Sequence, residues 1–217
     1  MRWLYAARQR YGLCVLDYAV TANHIHLLVR DQGRGEVARS LQLIAGQTAQ
    51  AYNARKRRHG AFWQDRYHAT AVESGSHLAR CVVYVDLNMV RAGVVQHPAQ
   101  WPAGGYHEIQ GGRQRYRIVD RAALAEVLGL EQVEQLAAVH AEWIAEALRG
   151  REQRRVSEWS ESLAVGSRDF VERVGAELGV RAYHREIVQC GDVSVLRDPS
   201  AAYGRRLGGE IGLLSSE

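Results

Sequence analysis

Residues 22–29 decide the fold of the N-terminal part of the chain, and they read Ala22-Asn23-His24-Ile25-His26-Leu27-Leu28-Val29. Two histidines alternate here with apolar residues, and side chains two positions apart leave the same face of a β-strand. We therefore expect His24 and His26 to point together, with Ile25 and Leu27 on the opposite face. Residues 13–20 are also rich in strand-forming residues, and Thr21-Ala22-Asn23 suits a turn. The sequence predicts a β-hairpin with arms at 13–20 and 24–30.

Two imidazoles on one face of a strand are half of a metal site. A His-x-His pair on a strand also serves in ordinary hydrogen bonding, so the pair alone leaves both interpretations open. Two histidines cannot complete a metal site, and the remaining ligands have to come from elsewhere in the chain.

Composition excludes several classes of protein. The chain has 217 residues, of which 47% are hydrophobic, so we expect a packed core and one domain or two. It has no apolar stretch of about 20 residues and no signal-peptide core at its start, which argues against a membrane protein and favours a cytoplasmic one. The three cysteines are far apart, which suits reduced thiols rather than a disulfide framework.

Basic charge is clustered although the net charge is only +4. The clusters are Arg55-Lys56-Arg57-Arg58, Arg151 with Arg154-Arg155, and Arg205-Arg206. Arginine-rich surfaces favour a polyanionic partner such as nucleic acid. Short basic runs also occur at solvated helix ends, so the clusters by themselves do not decide between the two interpretations.

The rest of the chain reads mainly as helices. Residues 37–58 form an amphipathic pattern, residues 60–72 look extended, and a helix capped by Ser76 runs to Arg91 and stops at Gly93. We place a domain boundary near Asp120, which gives domains at 1–119 and 120–217. The second is predicted to be a small helical domain with helices at 121–128, 131–148, 168–178 and 181–190, of which Asp120 and Ser167 cap the first and third.

Tyr84 and Asn88 lie four residues apart and so are neighbours on one helical face. A tyrosine near a phosphate that a divalent ion polarises can act as a nucleophile, and His24, His26 and the Asn88 amide oxygen could hold that ion. The product would be a phosphotyrosine bond with a free hydroxyl on the other DNA fragment. Each residue also has an ordinary interpretation, because Tyr84 suits a helix core and Asn88 suits a helix that ends at a glycine.

The order of the motifs resembles one known family. The stretch at 22–29, the segment Phe62-Trp63-Gln64-Asp65-Arg66-Tyr67 and the segment Tyr84-Val85-Asp86-Leu87-Asn88-Met89-Val90-Arg91-Ala92-Gly93 are similar to motifs of the REP-associated tyrosine transposases. These are relatives of small insertion-sequence transposases that act on single-stranded DNA. His24-Ile25-His26 matches the family's HUH motif, and Tyr84 and Asn88 match the segment of its nucleophilic tyrosine. Met89 stands where the family usually has a proline.

The resemblance implies an α+β fold with a ferredoxin-like antiparallel sheet and helices on one face. It implies a metal-dependent transposase that cleaves and transfers single-stranded or hairpin DNA, with Tyr84 as nucleophile and Mg²⁺ or Mn²⁺ on His24, His26 and Asn88. Contacts to the DNA backbone are expected from Arg55, Lys56, Arg57, Arg58 and Arg91. A homodimer or a monomer is compatible with it.

Residues 1–10 look like the end of the family's first helix, so the usual first strand is expected to be missing. A misassigned start, a degraded remnant and a partner that fills the gap are the three explanations. Two rival functions remain at this point: a decayed or domesticated protein that binds hairpin DNA without cleaving it, and a metal-dependent enzyme unrelated to DNA.

Overall fold

The structure of the protein, a computed structural model, describes residues 1–64, 67–150 and 158–199. The predicted basic clusters at Arg151, Arg154-Arg155 and Arg205-Arg206 lie outside these residues. The architecture is mixed α+β. The helices are α1 (Arg2–Tyr11), α2 (Glu36–Lys56), α3 (Ser76–Asp86), α4 (Asn88–Arg91), α5 (Tyr106–Ile109), α6 (Arg121–Val127), α7 (Gln135–Arg149), α8 (Glu158–Glu161) and α9 (Arg168–Leu178). The strands are β1 (Cys14–Val20), β2 (Ile25–Arg30), β3 (Ala71–Val72), β4 (Ala164–Gly166), β5 (Glu186–Cys190) and β6 (Val193–Arg197).

The chain divides into two compact units. Unit 1 comprises the described residues of Met1–Tyr67 and Ser74–Arg155, and unit 2 those of His68–Glu73 and Val156–Glu217. The expected division into domains at residue 120 stays a prediction. Within the described parts of the chain, no helix has the length and apolarity needed to cross a membrane.

Unit 1 is built on the predicted hairpin. Strands β1 and β2 pair antiparallel from Cys14↔Arg30 to Val20↔Ile25, with a bulge between Val15 and Asp17. The turn closes through the Thr21 N–H, which donates to the His24 carbonyl over 3.0 Å. Both arms therefore lie within one residue of the predicted bounds, because the alternation of side chains and the turn residues are local signals.

The second edge of β1 is covered by two irregular segments. The Val20 N–H donates to the Ala103 carbonyl, the Gly105 N–H to the Tyr18 carbonyl, and the Asp120 N–H to the Val15 carbonyl. A Cβ at Gly105 would lie 2.1 Å from Asp17 Oδ1, so the close approach of this segment to β1 requires glycine. The sheet of unit 1 has the order β1-β2, and the ferredoxin-like arrangement remains a prediction.

The predicted helix from Ser76 to Arg91 is interrupted. It consists of α3 and α4, which meet at Leu87, and the N-cap position before α3 is Gly75 rather than Ser76. The break coincides with a side-chain contact, because the Arg91 guanidinium donates to the Tyr84 carbonyl. In an uninterrupted helix, the Asn88 N–H would use that carbonyl. Leu87 and Val90 still face the core, where they pack with Ile144 of α7.

Unit 2 corrects the prediction of a purely helical C-terminal domain. It contains a four-stranded sheet of order β3-β4-β6-β5, in which only β3 and β4 run parallel. The predicted helix at 181–190 is wrong: residues 179–182 form a short 3₁₀ helix, and Glu186–Cys190 is strand β5. The physical reason is the hairpin to β6, whose turn has Gly191 at a φ of 60°, as a two-residue type II′ turn requires. Ser167 does cap α9, accepting from the Phe170 N–H, and Asp120 of unit 1 caps α6.

Candidate active site on strand β2 and helices α3 and α4

The two histidines lie together at the start of strand β2: His24 directly precedes the strand, and His26 lies within it. The His24 and His26 rings lie edge to face with centroids 4.9 Å apart. The side chain between them, Ile25, lines an apolar pocket of about 290 Å³ together with residues of α1 and α2 such as Leu4 and Ile44. The histidines and the apolar residues of β2 therefore serve opposite faces of the hairpin.

Helices α3 and α4 bring the predicted tyrosine and asparagine to the same place. The Tyr84 ring lies 5.9 Å from the His26 ring, centroid to centroid and nearly perpendicular. The Asn88 amide N–H donates to His26 Nε2 over 2.8 Å, across a sequence separation of 62 residues. Tyr84 is only 7% exposed, whereas Asn88 is half-buried and His24 is exposed. All four residues thus form one cluster with an accessible side at His24.

Arg91 belongs to this cluster in a way that the sequence did not indicate. Its guanidinium carbon lies 4.0 Å from the centroid of the Tyr84 ring, and its Nη2 donates to the Tyr84 carbonyl. Burial lowers the pKa of Arg91, and the neighbouring Tyr84 opposes that shift. The sequence analysis predicts Arg91 only as a contact to the DNA backbone. Its spacing of seven residues from Tyr84, two helical turns, is the sequence signal that could have indicated the contact with the Tyr84 ring.

The turn before β2 holds the first histidine. His24 Nδ1 lies 2.8 Å from Asn23 Oδ1 and 2.9 Å from Thr21 Oγ1. The His24 backbone N–H donates to the same Thr21 hydroxyl over 3.1 Å. The sequence identified Thr21 and Asn23 only as turn residues; an amide side chain next to a candidate ligand was the available signal.

One pair of the candidate donors, on His26 and Asn88, has the spacing that a divalent cation requires. Two ligands at about 2.1 Å in adjacent octahedral positions lie roughly 3.0 Å apart, and the Asn88 amide nitrogen is 2.8 Å from His26 Nε2. An amide coordinates metal through its oxygen. To bind the ion, the Asn88 carboxamide would therefore rotate by 180° about its terminal C–C bond, which exchanges the oxygen and nitrogen positions with little change of shape. His24, His26 and Asn88 carry no negative charge. The described residues contain no group of three His, Cys, Asp or Glu side chains able to hold a metal. The candidate set therefore depends on the Asn88 amide as its third ligand.

The basic residues at the C-terminal end of α2 and in the turn that follows it are exposed and belong to the same unit. Arg55, Lys56, Arg57 and Arg58 are all exposed, and Arg57 adopts a left-handed conformation at the helix end, with a φ of 49°. The guanidinium carbons of Arg55 and Arg58 lie 5.6 and 5.8 Å from the centre of the Tyr52 ring. Arg58 also donates to the Ala61 carbonyl. The turn is therefore held against α2 while its charges face solvent.

A buried polar layer lies behind α3. His140 Nε2 of α7 is 2.7 Å from Asp86 Oδ2, and both side chains are at most 1% exposed. Gln110 contacts the other ring nitrogen of His140 over 2.9 Å. The cluster of Tyr84 and Asn88 is thus carried by a helix pair that a buried contact fixes from the opposite side.

Comparison with known proteins assigns the segment that holds this cluster. Residues 2–88 match the family model described as Transposase IS200 like. This segment is an IS200-like transposase domain. REP-associated tyrosine transposases belong to the same family, so the predicted resemblance is confirmed at that level. The matched segment includes His24, His26 and Tyr84 and ends at Asn88, while Arg91 lies just beyond it.

The match of residues 2–88 implies a DNA transposase role for this segment, with DNA as the partner. No curated protein and no solved structure matches the chain.

Proposed function

We propose that the IS200-like domain cleaves and rejoins single-stranded or hairpin DNA through a phosphotyrosine at Tyr84. His24, His26 and Asn88 would hold the divalent cation, Mg²⁺ or Mn²⁺. The observation that carries the proposal is the meeting of a phenol, two imidazoles and a carboxamide in one cluster, from segments some sixty residues apart in sequence.

Tyr84 is a weak nucleophile in its ordinary state, because a phenol has a pKa of about 10. The Arg91 guanidinium lies over the Tyr84 ring, and its positive charge would stabilise the negative charge that passes through the transition state of the attack. Attack of the phenolate oxygen on phosphorus forms the phosphotyrosine bond and breaks one P–O bond of the DNA backbone. The released strand end carries a hydroxyl, and the ester retains the energy for rejoining.

A cation on the two imidazoles and the amide oxygen would polarise a phosphate oxygen and neutralise charge in the transition state. The contact between His26 and Asn88 and the position of His26 beside Tyr84 support a phosphate that binds next to these three side chains. Nitrogen donors suit Mg²⁺, which demands oxygen ligands, less well than Mn²⁺. We expect Mn²⁺ to support the reaction at lower concentration than Mg²⁺.

The basic turn after α2 would track the DNA backbone. Arg55, Lys56, Arg57 and Arg58 are exposed and follow one another, which suits contact with successive phosphates. Tyr52 and Phe62, whose centroids are 4.7 Å apart, lie next to these charges and could stack on an unpaired base.

The decisive experiment is formation of a covalent adduct between the full chain and a labelled single-stranded hairpin oligonucleotide, with and without Mn²⁺. We expect a metal-dependent adduct that Tyr84→Phe abolishes. Tyr67→Phe is the matched control, because Tyr67 is 60% exposed and is not part of the cluster. An adduct of equal yield in Tyr84→Phe would contradict the assignment of the nucleophile.

A second measurement separates cleavage from binding. Each phosphate contact contributes about −0.7 to the slope of log affinity against log salt for single strands. Arg57→Gln should therefore weaken hairpin binding and make the salt slope shallower by about 0.7. Binding with this salt dependence but no adduct in the parent chain would favour the hairpin-binding protein without cleavage activity.

A further inference from the structure

We propose that Asn23 is the positioning residue for His24: its carboxamide oxygen accepts the Nδ1 proton and so fixes the imidazole tautomer whose Nε2 lone pair serves the cation. This inference rests on the proposed function, because it assigns the cation to His24. Its experiment is chosen so that the two can fail separately.

The hydrogen bonds of the turn define the tautomer. His24 Nδ1 has two oxygen neighbours, Asn23 Oδ1 at 2.8 Å and Thr21 Oγ1 at 2.9 Å. The Asn23 oxygen can only accept, so Nδ1 must carry the proton that the bond requires. A neutral imidazole with its proton on Nδ1 has its lone pair on Nε2.

The Thr21 hydroxyl has partners on the backbone and on a side chain of the same turn. It accepts the His24 N–H over 3.1 Å, and its proton faces the His24 carbonyl at 2.9 Å and Asn23 Oδ1 at 3.2 Å, of which the carbonyl is the nearer acceptor. Since a hydroxyl has one proton, this donation leaves Thr21 Oγ1 as a second acceptor for Nδ1–H. Thr21 thus shapes the turn, while Asn23 provides the shorter bond to the ring.

This arrangement matters because His24 is the exposed member of the pair. An exposed imidazole without a fixed acceptor exchanges its proton between both nitrogens and rotates freely. Metal-binding histidines are oriented by an acceptor on the nitrogen that does not bind the ion, and removal of that acceptor typically costs about 10–100-fold in metal affinity. Asn23 is in the position of that acceptor.

The first readout needs no metal. Long-range proton–nitrogen NMR correlations of the full chain, at about pH 8.5 where histidine is neutral, report which ring nitrogen carries the proton. We expect the Nδ1-protonated form of His24 in the parent chain and a mixture in Asn23→Ala. Asn23→Asp retains an acceptor at the same place and should retain the parent tautomer. Asn23→Gly removes the same acceptor and suits a turn, which covers the case in which the alanine variant folds poorly.

The second readout is Mn²⁺ affinity, followed by the electron paramagnetic resonance signal of the free ion. We expect about 10–100-fold weaker binding in Asn23→Ala and Asn23→Gly, with affinity near that of the parent in Asn23→Asp. Gln50→Ala, at an exposed position of α2, is the control for removal of a surface amide.

The outcomes distinguish the two proposals. A parental tautomer and parental Mn²⁺ affinity in Asn23→Ala would overturn the role of Asn23, even if Tyr84 is the nucleophile. Adduct formation that survives Tyr84→Phe would instead overturn the proposed function, while a changed tautomer together with weakened Mn²⁺ binding in Asn23→Ala would still support the role of Asn23.

Discussion

Asp17 predicts a specific dependence of stability on pH. Its side chain is completely buried. Oδ1 accepts from the Tyr18 N–H over 2.8 Å, and Oδ2 has no hydrogen-bond partner among the residues that the structure describes. Burial raises the pKa of Asp17 well above its usual range, and the nearby Asp86 adds to this shift. Asp86 has His140 at 2.7 Å, so we assign the proton of this pair of acids to Asp17.

The sign and size follow from proton linkage. Between the unfolded pKa near 4 and the raised folded pKa, the folded chain holds one proton at Asp17 that the unfolded chain has lost. The free energy of unfolding therefore falls by about 1.4 kcal/mol for each pH unit in this window. The stability that the protonated carboxyl contributes is fully present below the unfolded pKa and is lost as pH rises through the folded pKa.

The test is Asp17→Asn, which keeps the acceptor for the Tyr18 N–H and cannot ionise. Urea unfolding at stepped pH, upward from about pH 5 and as far as the folded pKa of Asp17, should show a dependence of the unfolding free energy on pH that is weaker than that of the parent by about 1.4 kcal/mol per pH unit. The variant should be the more stable protein at the alkaline end. Glu131→Gln makes the same chemical change at an exposed position and should leave the slope unchanged. Equal slopes in Asp17→Asn and the parent would refute the assignment of a buried, protonated carboxyl.

Four further predictions concern packing and the candidate site. Gly105→Ala should destabilise the protein by about 1–3 kcal/mol, because a Cβ there would lie 2.1 Å from Asp17 Oδ1 and 3.3 Å from the Tyr18 backbone nitrogen of β1. At Gly46, no atom of the described residues lies within 4 Å of an added Cβ, so Gly46→Ala should stabilise α2 by about 0.5–1 kcal/mol. The urea midpoints of the two glycine variants test both predictions, and midpoints shifted equally in the two variants would contradict the close packing at Gly105. Arg91→Gln should slow formation of the Tyr84 adduct by about 2–30-fold, which corresponds to the loss of a cation–π contact of roughly 0.5–2 kcal/mol. Arg91→Lys retains the positive charge and should restore part of the rate. An unchanged rate in Arg91→Gln would show that Arg91 does not contribute to the reaction. The neutral donor set should bind Mn²⁺ more tightly when hairpin DNA supplies phosphate oxygens, and Mn²⁺ titrations that give the same affinity with and without DNA would contradict this coupling.

Local features of the fold could be predicted from the sequence. The hairpin follows from alternation over a few residues on each side of Thr21-Ala22-Asn23, and both observed arms agree with it within one residue. The caps at Asp120 and Ser167 are equally local, since each side chain bonds an N–H three residues later. Features that depend on residues only a few positions apart can be predicted from a single sequence, because the interacting residues appear side by side in it.

The unpredicted features depend on contacts that a local pattern does not contain. The break at Leu87 coincides with the Arg91 side chain taking the Tyr84 carbonyl, a contact between consecutive turns that helical periodicity does not report. The sequence analysis predicts a helix at 181–190, but Glu186–Cys190 forms strand β5 by pairing with β6, from Glu186↔Arg197 to Cys190↔Val193. Tertiary pairing outweighs propensity in such segments.

The candidate site depends both on local sequence patterns and on tertiary contacts. The spacing of two residues in β2 and of four residues across α3 and α4 predicts each pair of side chains, and the structure brings the pairs together through the bond between Asn88 and His26. The buried contact between Asp86 and His140 lies two residues from Tyr84 and holds the same helix from the other side. Because α3 is fixed at both faces, the separation of the phenol from the imidazoles is set by core contacts rather than by the exposed turn. The turn, through Asn23, sets only the chemistry of His24. The proposed site therefore divides its requirements between a rigid core, which determines distance, and a short surface turn, which determines which nitrogen carries the proton.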